Sequence, residues 1–320
     1  MTLKKIIQYL LALIVIVAVG CFFYLEFKKN WDAIRAYHFA FNFYYIVASI
    51  FIIIIGFLME TYIWQICMNH YLKKKLGFLE SIAFVNTSNL FKYIPGKLWV
   101  YTVQIALMAK KNIAKSLVLY VNFVCLLCVI IVSTIYGFYY LFFYLKILPM
   151  RISILLFGFL ILVDFAFIMW NTSVINWLII KINKFFKREI LPIKIEKWLI
   201  LYIQFLYLVA WIPPGIGAYF LAKGIGLAVA SSDMFALISS MSVSWIIGYI
   251  AIFTPGGLGV REGIMFLMLK QFSNVKTALF LPLATRLIYI IVELLLGITG
   301  ILIGMKYGYF PKQMKSRQKQ

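Results

Sequence analysis

An all-α, polytopic membrane helix bundle is the fold class that this sequence predicts. Three observations carry the prediction. The chain of 320 residues is 64% hydrophobic, with a mean hydropathy of +0.97, and a water-soluble surface cannot be made from so little polar side chain. Apolar runs of about 20 residues recur along it, the length an α-helix needs to cross a bilayer core. Aromatic residues make up 18%, in keeping with Trp and Tyr rings held at membrane–water interfaces. The chain 1–320 therefore reads as one membrane domain, with half-repeats of about 1–148 and 149–305 and a basic tail over 306–320.

Six runs read as full spans: Ile6–Leu25, Tyr44–Met68, Lys115–Tyr144, Ile152–Asn171, Leu199–Ala222 and Leu279–Met305. The first follows Lys4-Lys5, and its Ala18-Val19-Gly20-Cys21 has the look of a lipoprotein cleavage box. The apolar run continues through Phe22, Phe23 and Leu25 and more spans follow, so a retained helix is expected rather than a leader. Two further apolar regions are interrupted, Phe78–Ala109 by Pro95-Gly96 and Asp233–Leu269 by Pro255-Gly256-Gly257. Proline removes a backbone donor and glycine frees the chain, so each region is expected to form two short helices meeting at a break.

The breaks lie 160 residues apart, half the chain length. Each half reads span, span, broken hairpin, span. If both hairpins re-enter on one side, each half crosses three times and the second half is inverted, the plan of many transporters; eight full spans are the other topology. Loop charge chooses an orientation. With the N-terminus inside, the inner side receives 19 bases: Lys4, Lys5, Lys73, Lys74, Lys75, Lys110, Lys111, Lys115, Lys181, Lys184, Lys187, Arg188, Lys194, Lys197, Lys306, Lys312, Lys315, Arg317 and Lys319. The outer side receives 8: Lys28, Lys29, Arg35, Lys146, Arg151, Lys223, Lys270 and Lys276. That asymmetry favours an inner, cytoplasmic cell membrane with both termini in the cytoplasm. The segment Lys181–Lys197 mixes bases with apolar residues and reads as an amphipathic stretch on the inner headgroups.

A formal charge of +21 would suggest nucleic acid in a soluble protein. Here the bases sit in short loops between spans, so anionic headgroups are the expected partner and nucleic acid is not. Cys21, Cys67, Cys125 and Cys128 all lie in apolar runs. Cys125-x-x-Cys128 has metal or redox spacing, but no second pair or nearby histidine completes a site, and packing is the simpler role. His38 and His70 sit at span edges. No phosphate-binding GxxxxGK[ST], zinc HExxH or GxSxG elbow is present. No cofactor or metal is expected, and any transport would run downhill or be ion-coupled.

The breaks hold the candidate chemistry, because non-helical backbone within a bilayer is tolerated only inside protein or against a wet cavity. New half-helices should start near Lys97 and near Val260, with free N–H groups that favour an anion. The first break supplies Lys92, Tyr93, Pro95, Gly96 and Lys97; the second supplies Pro255, Gly256, Gly257, Gly259, Arg261 and Glu262. Charged residues inside spans cost roughly 2.5–3.5 kcal/mol each on insertion scales, so they need partners. Glu60, Asp164, Arg286 and Glu293 are of this kind. Arg286 and Glu293 share a helix face two turns apart, Glu60 is a candidate coupling residue, and Asp164 is nearer a packing role. Gly300-x-x-x-Gly304 suits close helix approach.

Two stretches carry a family resemblance. Asn89-Leu-Phe-Lys-Tyr-Ile-Pro-Gly-Lys-Leu-Trp99 and Pro255-Gly-Gly-Leu-Gly-Val-Arg-Glu262 resemble the paired signatures of the lysylphosphatidylglycerol synthase transmembrane-region family, also described as flippase-like membrane proteins. The resemblance covers essentially the whole chain. It implies a membrane region that moves lysyl-phosphatidylglycerol or a related lipid outward. In the family's best-known members a cytoplasmic aminoacyl transferase domain follows, and this chain stops at Gln320 without a counterpart. The expectation is thus translocation of an anionic or modified phospholipid, or a lipid-linked intermediate. Phosphatidylglycerol lysyltransferase activity, or an accessory role in envelope lipid or polysaccharide synthesis, is the alternative. Lys92, Lys97, Arg261 and Arg286 would engage the phosphate, with Glu262 and Glu293 holding them.

Overall fold

The computed structural model describes residues 24, 25, 28, 31, 35, 40–93, 99–186, 196–251 and 254–310. Most of the first expected span, together with Cys21, His38, Pro95, Gly96, Lys97 and the end of the basic tail, lies outside the described residues. Among the described residues the chain is helical throughout, with no strand. Six helical segments in it are long and apolar enough to cross a membrane. It is a multi-pass membrane protein.

Helix α1 runs Phe43–Tyr71. Asn42 caps it through its side chain, which accepts from the Tyr44 N–H at 3.2 Å. The first interrupted region forms α2 (Phe78–Asn89), a tight 3₁₀ turn (Leu90–Tyr93) and α3 (Trp99–Ala109). Helix α4 (Lys115–Phe138) ends in a π-helical stretch, Tyr139–Tyr144. Helix α5 (Met150–Phe186) is longer than the expected span and takes in the start of the basic segment. Only 11% of its most apolar stretch is buried within the protein, so it lies at the periphery.

The expected span Leu199–Ala222 breaks at Trp211 into α6 (Lys197–Ala210) and α7 (Ile212–Gly224). The cause is Pro213-Pro214, tolerated only in the first turn of a helix, where no intrahelical N–H bond is lost. The second interrupted region forms α8 (Met234–Ile250), a short turn at Pro255–Gly257 and α9 (Val260–Leu269). With its entry turn, α8 extends over Ser231–Ile250 and is long enough to span by itself. The six candidate spans are thus not the six read from sequence: Ser231–Ile250 joins them, and Ile6–Leu25 lies almost wholly outside the described residues. Helix α10 (Val275–Lys306) closes the bundle.

Two seams hold these helices together. Helix α1 packs along α7, and glycines on both sides permit it. A Cβ at Gly217 would meet the Ile53 side chain at 2.6 Å, and one at Gly224 would meet Ile46 at 2.7 Å. Ser49 donates to the Gly217 carbonyl at 2.7 Å across the same seam. Helix α2 packs along α10, where a Cβ at Gly297 would fall 2.4 Å from Leu90 and one at Gly300 2.8 Å from Thr87 Oγ1. Without a hydrophobic drive between helices in lipid, such close backbone approach supplies the association through dispersion and polar contacts.

The contacts run in matching pairs. Hairpin arm α2 packs on α10, the last helix of the second half, and arm α8 packs on α4, the last helix of the first. The halves are therefore interlocked. This brings the 3₁₀ turn of the first break into contact with the turn at Pro255–Gly257.

Candidate functional site

The site lies where the two breaks touch. At the second break the backbone turns through three glycines with positive φ: Gly256 (+59°), Gly257 (+75°) and Gly259 (+84°). L-residues with a Cβ avoid this region, which explains the glycine run. Gly256 also faces a crowded wall: a Cβ there would lie 3.0 Å from Arg286 Nη2 and 3.1 Å from the Tyr93 ring. The turn is closed by Gly257 donating to the Thr254 carbonyl at 3.3 Å. Helix α9 then begins, and Glu262 caps it, its Oε2 accepting from the Gly259 N–H at 2.6 Å.

Glu262 has a second task. Its Oε1 faces Arg286 Nε at 3.4 Å, so one carboxylate joins the helix start of the second break to α10. Arg286 donates through Nη2 to the Gly256 carbonyl at 3.2 Å. Its guanidinium also lies over the Tyr93 ring, 5.6 Å from the centroid. Two turns further along α10, Glu293 holds the first break: Lys92 Nζ is 2.5 Å from Oε1, and the Tyr93 hydroxyl donates to Oε2 at 2.6 Å. Arg286 and Glu293 do lie on one face of α10, as the sequence spacing requires, but each is paired with a residue of a break rather than with the other.

Arg261, on the first turn of α9, stacks on Trp245 with 5.2 Å from guanidinium carbon to ring centroid. Gly248 and Gly257 clear its path: a Cβ at Gly248 would meet Arg261 Cγ at 2.2 Å, and one at Gly257 would meet Nε at 3.0 Å. Three buried donors, Arg261 Nε and Arg286 Nε and Nη1, have no hydrogen-bond partner. Buried guanidinium donors without acceptors are costly, and an oxyanion is the acceptor their chemistry suits.

Beside these residues opens a cavity of 140 Å³, lined among others by Glu60, Asn89, Lys92, Gln104, Asn122 and Arg261. By the volume a water takes in the liquid, about 30 Å³, it has room for several waters or a small headgroup. Asn122 donates to Gln104 Oε1 at 2.6 Å on its wall, and the Tyr101 and Tyr249 hydroxyls bond to each other, joining the two hairpins. Sequence reasoning did not single out Trp245, Tyr101, Tyr249, Gln104 or Asn122. A lone Gln or Asn within an apolar run was the available signal for the last two.

Of the residues expected from sequence, Lys92, Tyr93, Gly256, Gly257, Gly259, Arg261, Glu262, Arg286 and Glu293 come together, and Glu60 faces them across the cavity. Pro255 contributes its backbone to the turn. Pro95, Gly96 and Lys97 fall outside the described residues. Asp164 is distant and accepts from Gln204 at 2.9 Å. Cys67, Cys125 and Cys128 are buried free thiols of the core.

The model of the lysylphosphatidylglycerol synthase transmembrane region matches residues 9–297, taking in both breaks and every residue of the site. The chain belongs to that family. No curated protein matches it. As a member of the lysylphosphatidylglycerol synthase transmembrane-region family, the chain contains the embedded part named in the family's description. In this member Lys92 and Tyr93 of the first signature meet the second signature at one basic, carboxylate-braced junction.

Proposed function

We propose that this protein moves an anionic or modified phospholipid, or a lipid-linked intermediate, across the cytoplasmic membrane. The observation that carries the reading is the meeting of two broken hairpins from different halves around Arg261 and Arg286, where Arg261 Nε and Arg286 Nη1 are buried donors without a hydrogen-bond acceptor. A phosphate arriving there supplies oxygen acceptors in a low-dielectric site, where charge-assisted hydrogen bonds are strongest. Glu262 and Glu293 position the bases. The interlocked contacts of α2 with α10 and of α8 with α4 support reading about 1–148 and 149–305 as inverted halves. Rocking one half against the other would open the junction to each leaflet in turn.

Vesicles reconstituted with the protein and a fluorescent phosphatidylglycerol test this. Transfer between leaflets is expected to exceed that of protein-free vesicles and to fall with Arg261→Ala or Lys97→Ala. Equal transfer with and without protein ends the reading. The family description also favours a link to lysylphosphatidylglycerol synthesis. Incubating membranes with lysyl-tRNA and looking for aminoacylated lipid separates that second reading from the first.

A further inference from the structure

Among the described residues, Glu60 is the junction carboxylate that forms no ion pair. It projects from α1, well inside the span Phe43–Tyr71, into the 140 Å³ cavity that Lys92 and Arg261 also line. It also borders a second cavity of 50 Å³, shared with Tyr207, Trp211 and Tyr289. A third, of 30 Å³, meets the first at Trp245 and Arg261. Glu60 thus lines two spaces large enough for water.

The charge inventory gives this position a meaning. Among the described residues the junction holds three bases, Lys92, Arg261 and Arg286, and three carboxylates, Glu60, Glu262 and Glu293. Two pairs are built: Lys92 with Glu293, and Arg286 with Glu262. Arg261 and Glu60 remain. Their electrostatic environment is shared, since the charged groups acting on Glu60 are Lys92, Glu293 and Arg261. The other titratable groups facing it are Tyr101, Tyr249, Tyr207 and Cys125 around the first cavity and Tyr289 beside the second. Phenols and thiols ordinarily titrate above neutral pH, so the carboxylate is the group of this set that takes up a proton first as pH falls.

With Glu60 ionised, the positive charge of Arg261 is balanced from within. With Glu60 protonated, the junction carries one net positive charge and has room for one anion. A phosphodiester and the Glu60 carboxylate therefore compete for the same cation. We propose that Glu60 is a proton-binding site linked to anion binding at Lys92 and Arg261, so that each anionic headgroup entering the junction is accompanied by one proton. The step is a proton transfer alone: a hydronium in the cavity gives its proton to one Glu60 oxygen, an O–H bond forms, and water remains. A metal cation suits the place poorly, because the charged neighbours include two bases. Among the described residues no group of three acidic, histidine or cysteine side chains is assembled to hold one.

The inference rests on the proposed lipid reading, and its test separates the two. Purified full-length protein in phosphatidylcholine nanodiscs is titrated with short-chain phosphatidylglycerol from about pH 5 to about pH 8, with a pH indicator in weak buffer counting protons taken up. Linkage of one proton makes the affinity fall by up to about tenfold per pH unit as pH rises through the Glu60 titration. Proton uptake on binding follows the same curve. Glu60→Gln is expected to bind with an affinity that no longer varies with pH and to take up no proton, and Glu60→Asp to restore both. Glycerophosphoglycerol, the same diester without acyl chains, shows whether the headgroup suffices; proton uptake with either ligand supports the linkage. Binding by the wild type without proton uptake, or uptake unchanged in Glu60→Gln, overturns the proton site and leaves lipid binding standing. Absence of binding at every pH overturns both. If Glu60→Gln fails to fold, a wild-type proton count of zero still overturns the linkage, and the shift of the pH curve in Glu60→Asp carries the residue assignment.

Discussion

Lys92 and Glu293 show how a single pair fixes a break. The ammonium and carboxylate are 2.5 Å apart, with the Glu293 side chain almost fully buried and 18% of the Lys92 side chain exposed. Removing one partner strands the other charge, which costs about 3–5 kcal/mol in buried pairs, whereas replacing both by apolar groups of like size is often neutral. Lys92→Ala is therefore expected to lower stability in detergent by several times more than the double change Lys92→Met, Glu293→Leu, as read from denaturant unfolding. Gly256 makes a second test. Its φ of +59° disfavours any L side chain, and a methyl group there would press on Arg286 and Tyr93 at 3.0–3.1 Å. Gly256→Ala should cost at least about 1–2 kcal/mol from backbone strain alone and displace Arg286, which the same unfolding assay and a lipid-transfer assay would both register.

Among the elements, the first hairpin is anchored at its mouth by Glu80. Its Oε2 accepts from the Gly77 N–H at 2.9 Å to cap α2, and its Oε1 meets both the Lys111 ammonium and the Tyr309 hydroxyl. One side chain thereby ties the start of α2 to the turn after α3 and to the residues that follow α10. Burial works against the Glu80 carboxylate, but the bonds from Lys111, Tyr309 and Gly77 outweigh it and hold its pKa below the ordinary glutamate value. A depressed carboxylate contributes stability that is complete above the unfolded-state pKa, about 4.3, and is lost as pH falls through the lower folded value. Melting temperature should thus be insensitive to this group near neutrality and drop in acid, and Glu80→Gln should flatten that acid limb. At the other end of the same hairpin, Gly297→Leu would drive a side chain into Leu90. Loss of the monodisperse folded species on size-exclusion chromatography is the expected result.

For the whole molecule the open quantity is orientation. The charge asymmetry puts Lys75 on the inner side and Lys223 on the outer, and both side chains are exposed at helix ends. Single cysteines at these positions, in a background without the native four, should react with a membrane-impermeant maleimide from opposite sides of intact cells: Lys223→Cys at once, Lys75→Cys only after permeabilisation. Labelling of both from outside would reverse or break the inverted-half plan. The interlocking of α2 with α10 and of α8 with α4 also has a dynamic consequence. In the proposed transport cycle each hairpin would move with the helix of the other half on which it packs, tying opening toward one leaflet to closing toward the other.

The sequence by itself determined the class of solvent, the approximate spans, the two breaks and most of the residues gathered there. These depend on local quantities: hydropathy over about 20 residues, the missing donor of proline and the permissive backbone of glycine. Tertiary structure alone decided who pairs with whom. Spacing put Arg286 and Glu293 on one face but could not say that Glu262 and Lys92 are their partners, since those contacts join residues 24 and 201 positions apart. It also decided that Trp245 carries Arg261, that α8 is long enough to span, and that Glu60 faces the junction through a cavity. Each depends on how helices distant in the chain settle against one another, and glycine seams set that distance in ways no single window of sequence records.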